Sequence, residues 1–468
     1  MNSSARPIGV HFASRLRSVP GPRLRWDCID RFFNSPMSDE PILRSDEKPG
    51  PLSLFALASL SIAVGVFTGL VAAWFRMFLH SADGWRTYFI TRAHPWSLPG
   101  FLSVVLGIAL IAAFAAWMVS RFAPEASGSG IPYLEHQLRV GWSGDPLSIA
   151  IVKFFGGLLA IGGGLVLGRE GPTVQMGGSI GHLIGRAFQR NQNECRMLLA
   201  AGAGAGLATA FNAPIAGAVF VLEELLGSFN LAATTTTLGA SASAICVSRV
   251  FLGQSPDFQV PALGFLEFGV FPASLILGFL MGLLGVAYNR SILAALNLSA
   301  RFTQFRGTLR AAAIGALIGV VGWFMPLLIG AGDPLTQNVL NGKMLLGALA
   351  YGFVLHFFLG PVSYATRAPG GLFAPMLTVG AQAGTLFFML WRHLFPYLNA
   401  TPQHFAIIGI AAFFASVVRA PVTGIILAVE LTGSFSLFLP MLGATFAAVA
   451  TASRLKDPPI YESLREFR

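Results

Sequence analysis

Charge is scarce in this chain. Of 468 residues, 31 are Lys or Arg and 21 are Asp or Glu, 11% in all. A set of soluble domains would carry about twice that fraction. Cysteine is rarer still. Cys28, Cys195 and Cys246 lie far apart and make no metal-ligand spacing, so they read as inert thiols. Histidines also stand alone: His182, His356 and His404 are isolated and no His-Glu-x-x-His occurs, which argues against a membrane-embedded metalloenzyme. Neither a metal nor a cofactor is expected. The first 50 residues hold no apolar core of a signal peptide.

What is abundant is apolar sequence and glycine. The chain is 54% hydrophobic with 53 glycines and a mean hydropathy of +0.66. That is the composition of an all-helical polytopic membrane protein, with glycine where helices pack closely or are interrupted. The net charge of +10 is spread over loops and the N-terminal stretch, so it points to membrane orientation and not to nucleic acid. Residues 1–50 carry eight basic and six acidic residues and read as a cytoplasmic tail, with an amphipathic helix expected around Ser14–Phe33. Residues 51–468 form the transmembrane domain. Leu54–Leu79 and Gly100–Phe122 are long enough to span; Phe265–Tyr288 is another span. The stretch Asn289–Arg310 has four arginines and no acid, which predicts a cytoplasmic loop. Several later apolar runs, among them Phe405–Val418 and Pro421–Phe435, are too short for a full crossing.

The chain repeats itself. Gly128-x-Gly130-x-Pro132 recurs as Gly330-x-Gly332-x-Pro334. Gly168-x-x-x-Pro172 recurs as Gly371-x-x-x-Pro375. Ala213-Pro214-x-x-Gly217, followed by Glu223, recurs as Ala420-Pro421-x-x-Gly424, followed by Glu430. The three matches keep their order at nearly constant offset, which predicts two homologous halves, about 51–252 and 265–468. Interrupted segments at corresponding places in two halves are the mark of a transporter, with the binding site between them. The spans are too ragged to decide between parallel and inverted repeats.

One stretch organises the first half: Gly168-Arg169-Glu170-Gly171-Pro172. Two charges lie there at membrane depth, where each costs roughly 2.5–3.5 kcal/mol, so both are functional candidates. Gly171 and Pro172 mark a helix that starts inside the membrane. Such a start aims unpaired N–H groups inward and favours an anion over a cation. Gly128–Pro132 and Gly371–Pro375 have the same character; Pro458–Tyr461 has the prolines without the glycine. Partial charges of this kind bind an anion weakly enough to release it.

Gly128-Ser-Gly-Ile-Pro132, Gly168-Arg-Glu-Gly-Pro172 and Gly371-Leu-Phe-Ala-Pro375 together resemble the three signature motifs of the CLC family of chloride channels and proton/chloride exchangers, over about residues 53 to 465. The resemblance implies an inverted-repeat fold and a homodimer in the lipid bilayer with one pathway per subunit. It further implies a bacterial inner-membrane location with both termini cytoplasmic. Ser129 and Tyr461 would offer hydroxyls to the anion, and Leu372 and Phe373 their backbone N–H groups. Glu170 would be the external gating glutamate and Glu224 the internal proton-transfer glutamate. Gly128, Gly130, Pro132, Arg169, Gly171 and Pro172 would shape the seat. Lys153 would be a buried cation paired with Glu135, or a lysine snorkelling from a helix end. Glu223, the repeat partner of Glu430, has a capping or hydrogen-bonding duty. Tyr133 stands where related exchangers often have an acid. The chain stops seven residues after Tyr461, so the regulatory nucleotide-sensing domains of some members are not expected. The preferred function is exchange of chloride for protons; the alternative is a passive chloride channel on the same fold.

Overall fold

The computed structural model describes residues 51–261, 263–264, 266, 268–302, 307–342, 344–395 and 400–467; the expected tail 1–50, with its helix at 14–33, lies outside them. Among the described residues the regular structure is helical apart from one isolated bridge. The first half runs α1 (Pro51–Ala93), α2 (Ser97–Phe122), α3 (Ile131–Val140), α4 (Pro146–Gly162), α5 (Glu170–Ala187), α6 (Gln192–Phe211), α7 (Pro214–Phe220) and α8 (Leu231–Leu252). The second half repeats the order: α9 (Phe271–Arg301), α10 (Gly307–Phe324), α11 (Asp333–Leu340), α12 (Leu346–Tyr364), α13 (Phe373–Leu394), α14 (Pro402–Val418), α15 (Pro421–Thr432) and α16 (Phe438–Arg454). A last short helix, α17 (Ile460–Glu466), follows Pro458 and Pro459. Among the described residues seven stretches are long and apolar enough to cross a membrane, so this is an integral membrane protein.

Two expectations are corrected. The first span does not end near Leu79. Helix α1 continues to Ala93 because the polar residues of its last turns have work inside the protein: Arg86 pairs with Asp83 at 2.5 Å and donates to Gly162 O at 3.0 Å, satisfying a carbonyl that α4 leaves free at its C-terminus. The predicted loop from Asn289 is instead helical as far as Arg301. Asn289 is buried and donates to Asp457 Oδ2 at 3.0 Å, so it faces the protein and not water.

The two halves pack by the same rule. A Cβ at Gly177 on α5 would lie 2.1 Å from Gly202 O on α6, and one at Gly202 equally close to Gly177 O. The repeat counterparts Gly380 on α13 and Gly409 on α14 meet in the same way, at 2.7 and 2.3 Å. These helix pairs therefore touch backbone to backbone, which only glycine permits and which supplies the close packing that lipid-solvated helices need.

The halves are also capped by each other. Glu430 at the end of α15 accepts from Ile215 N at 3.1 Å and Ala216 N at 2.7 Å, at the start of α7. Glu223, just past α7, accepts from Val422 N at 3.1 Å and Thr423 N at 2.7 Å, at the start of α15. Each carboxylate satisfies orphan donors and opposes the positive end of the other repeat's helix. This reciprocity is the duty expected of Glu223 and Glu430. Glu430→Ala should lower stability by about 1–2 kcal/mol, the usual loss for an N-cap, and Glu430→Gln by less. Thermal unfolding in detergent checks this, and equal midpoints for wild type and Glu430→Ala would refute the capping role.

Candidate functional site

The halves meet head to head at Gly168 and Gly371. Gly168 N donates to Gly371 O at 2.8 Å and Gly371 N to Gly168 O at 2.7 Å, a two-residue antiparallel bridge just ahead of α5 and α13. An antiparallel contact between equivalent residues places the repeats in inverted relation and turns both helix N-termini to one point. Glu170 lies over this bridge. A Cβ on Gly168 would come within 2.1 Å of its carboxylate, and so would one on Gly371. The glycines of both motifs therefore make room for an acidic head group.

Glu170 is wholly buried, and its Oε1 accepts from Phe373 N at 2.6 Å. Its Oε2 has no hydrogen-bond partner. A buried carboxylate bound by a backbone N–H at the start of a helix is a tethered anion in an anion site. Leu372 is the N-cap of α13 and is fully buried beside it. Pro172 lies in the first turn of α5, where its missing N–H costs nothing. At Gly171 a side chain would collide with Ser129 O at 2.7 Å.

From the opposite side come two hydroxyls. Ser129 Oγ and Tyr461 Oη are buried and lie within reach of each other, with no other protein group bound to either. Ser129 does not cap α3; Gly130, in the left-handed region at φ 84°, holds that position and leaves the serine hydroxyl free. Pro132 sits in the first turn that follows. The Ser129 N–H donates to Tyr364 Oη at 3.3 Å. Tyr461 packs its ring 6.0 Å from that of Phe373 and lies within electrostatic reach of Glu170, Tyr364 and Glu224. Buried polar atoms are fully paired in nearly all folded proteins, so two hydroxyls with only each other in reach and a carboxylate oxygen with no partner mark a place built for something that binds there.

Lys153 is fully buried, so it does not snorkel. Its Nζ donates to Gly128 O at 2.5 Å and holds the Gly128–Pro132 turn. Glu135 forms ion pairs with Arg139, at 3.4 Å, and with Arg465 of α17. The acid expected beside Lys153 thus ties α3, which follows Ser129, to the helix that carries Tyr461. Tyr133 donates to Ser143 O and packs edge-on to Trp142, closing the turn after α3.

The remaining candidates mark the two ends. Arg169 points away from the seat into an ion network: it donates to Asp333 at 2.7 Å, Asp257 at 2.6 Å and Ala210 O at 2.8 Å, and Asp257 also takes Arg76 at 2.7 Å. Glu224 stands at the other end, half-buried in a wide turn (Val221–Leu225), among the charges of Glu135, Glu223, Glu462 and Arg465. Sequence reasoning missed Asp257, Tyr364 and Arg465. Asp257 lies in a polar loop with no motif, and the two others act through partners distant in sequence.

An inverted-repeat helical protein with half-helices converging on a buried anion seat is a membrane anion transporter. Residues 109–453 match the voltage gated chloride channel family, and the chain belongs to that family. It is similar to the H(+)/Cl(-) exchange transporter ClcA of Vibrio cholerae, 39% identical over 420 residues, 88% of this chain and 89% of the relative. It is 37% identical over 424 residues to the protein of the same name from Vibrio vulnificus, with the same coverage. Among solved structures it resembles a slow cyanobacterial Cl-/H+ antiporter with a TM-score of 0.85 and 32% identity, covering 90% of this chain and 98% of that one.

Proposed function

We propose that this protein exchanges chloride for protons across a bacterial membrane, with Glu170 as the outer gate. The observation that carries this reading is the bond from Phe373 N to Glu170 Oε1. A carboxylate and a chloride answer to the same N–H groups, so the ionised side chain fills the place an anion would take. Protonation removes its charge and its claim on that place. Proton and chloride then compete for one seat, which is the elementary condition for exchange. Ser129, Tyr461, Leu372 and Phe373 hold the chloride, which is the substrate; no cofactor takes part.

A channel needs only the seat. An exchanger also needs a titratable group that delivers protons from the inner side. Glu224 supplies it: Glu223, its neighbour, is committed to capping α15, and adjacent residues on a helix point about 100° apart. The relatives that carry the name of exchange transporters support exchange over a passive channel. We further propose a homodimer in the inner membrane with both termini cytoplasmic. The support for a dimer is that α7, α8, α15 and α16 pack on one another and expose Ile215, Leu231, Val422, Leu439 and Phe446, apolar side chains that a second copy can cover in place of lipid.

Proton and chloride fluxes recorded together in liposomes test this function. Wild type is expected to move protons uphill when driven by a chloride gradient, with turnover rising as pH falls because protonation lifts Glu170 from the seat. Glu170→Gln should pass chloride with no coupled proton movement and with a flat pH profile; retained proton pumping in this variant would sink the gate assignment. Glu224→Gln should keep chloride movement and stop proton transport. If wild type moves chloride without any proton flux, the protein is a channel.

A further inference from the structure

The anion seat accounts for the buried helix starts but not for the arginines at the junction of α9, α10 and α12. A cavity of about 620 Å³ opens there on the outer face of the bundle, away from the seat. Its walls are apolar and small: Ala109 of α2, Ala295 and Leu298 of α9, Ala312 and Ala316 of α10. Leu298, Phe302 and Leu309 flank it and are more than half exposed, so the cleft faces hydrocarbon, not water. Its volume lies within the roughly 300–1,000 Å³ of ordinary ligand pockets.

One end of this apolar cleft is cationic. Arg310 lines it, donating from Nη1 to Ser299 O at 2.5 Å, while its Nε is buried with no hydrogen-bond partner. Arg367 follows the end of α12, exposed and in the left-handed region at φ 59°, where a non-glycine residue is uncommon. Partial desolvation, and next the charge of Arg310 beside it, lower the pKa of the Arg367 guanidinium. Arg301 ends α9 nearby in sequence. Among the described residues none of the three enters an ion pair. Ser299, whose carbonyl Arg310 holds, donates its Oγ to Ala365 O at 3.2 Å, and both line the cleft, so the segment that leads to Arg367 lies against the Arg310 turn. Arg310 on the wall of an apolar cleft, with an orphaned donor and a second arginine two residues past that wall, calls for an anion that carries hydrocarbon. Excess arginine marks this end as cytoplasmic, the side where basic pockets between helices take anionic head groups.

We propose that this cleft binds an anionic phospholipid of the inner leaflet, with acyl chain between α9 and α10 and phosphate against Arg310 and Arg367. The site also touches the transport machinery through one carbonyl, since Arg367 O accepts from Gly128 N at 3.4 Å and from Ser127 Oγ at 3.3 Å. The lipid would steady the turn that presents Ser129.

Native mass spectrometry of the full chain, titrated with phosphatidylglycerol or phosphatidylcholine, tests the site. Phosphatidylglycerol should bind in preference by roughly tenfold, as expected for two arginines near a phosphate. The double variant Arg310→Gln, Arg367→Gln should lose that preference. Arg310→Gln alone, which touches no residue of the seat, should lose part of it. Ala312→Phe, filling the cleft, should weaken both lipids, and glycerol phosphate without chains should fail to compete. Equal uptake of the two lipids by wild type, or an undiminished preference in the double variant, overturns the proposal and leaves an ordinary lipid-facing surface.

Discussion

Everything in this molecule answers to one contact, the pairing of Gly168 with Gly371. It brings the starts of α5 and α13 together inside the membrane, where their free N–H groups would otherwise face hydrocarbon at several kcal/mol each. Glu170 meets that demand for negative charge when the seat is empty of chloride. The acid stabilises the arrangement by its bond to Phe373 N, and under the proposed exchange the seat works because the acid is removable. A fixed cation in place of the N–H groups would hold chloride and carboxylate alike too firmly to let either leave.

The same symmetry governs how the rest of the bundle is held together. Close glycine contacts join α5 to α6 and α13 to α14, while Glu223 and Glu430 cap helices across the repeat boundary. The seat is asymmetric within this symmetric frame. Ser129 has Ala331 as its counterpart at the same offset, and Glu170 has Phe373. One half therefore supplies the acid and the serine hydroxyl, and the other the N–H that binds the acid and the tyrosine hydroxyl. Lys153, under Gly128, supports the hydroxyl side.

Much of this was legible in the chain because glycine and proline punctuate it where backbone geometry requires them. Gly128–Pro132, Gly168–Pro172 and Gly371–Pro375 identify helix starts without knowledge of the fold, and charges in apolar sequence mark Glu170, Glu223 and Glu224 as candidates. Helix lengths were less legible. Asp83, Arg86 and Asn289 look like loop residues, yet each bonds inside the protein and lets its helix run on. The partner of Glu135 could not be read either, because Arg465 lies 330 residues away and nothing local links the two. Tertiary ion pairs leave no periodic trace, whereas broken helices leave a glycine or a proline.

The claim that the Glu170 carboxylate occupies an anion's place can be tested directly by anomalous diffraction from crystals of Glu170→Gln grown in bromide. A bromide peak within hydrogen-bond reach of Phe373 N, where Oε1 lies in the wild type, and absent from wild-type crystals at neutral pH, is the predicted result. A glutamine that stays bound to Phe373 N with no bromide there would contradict the account.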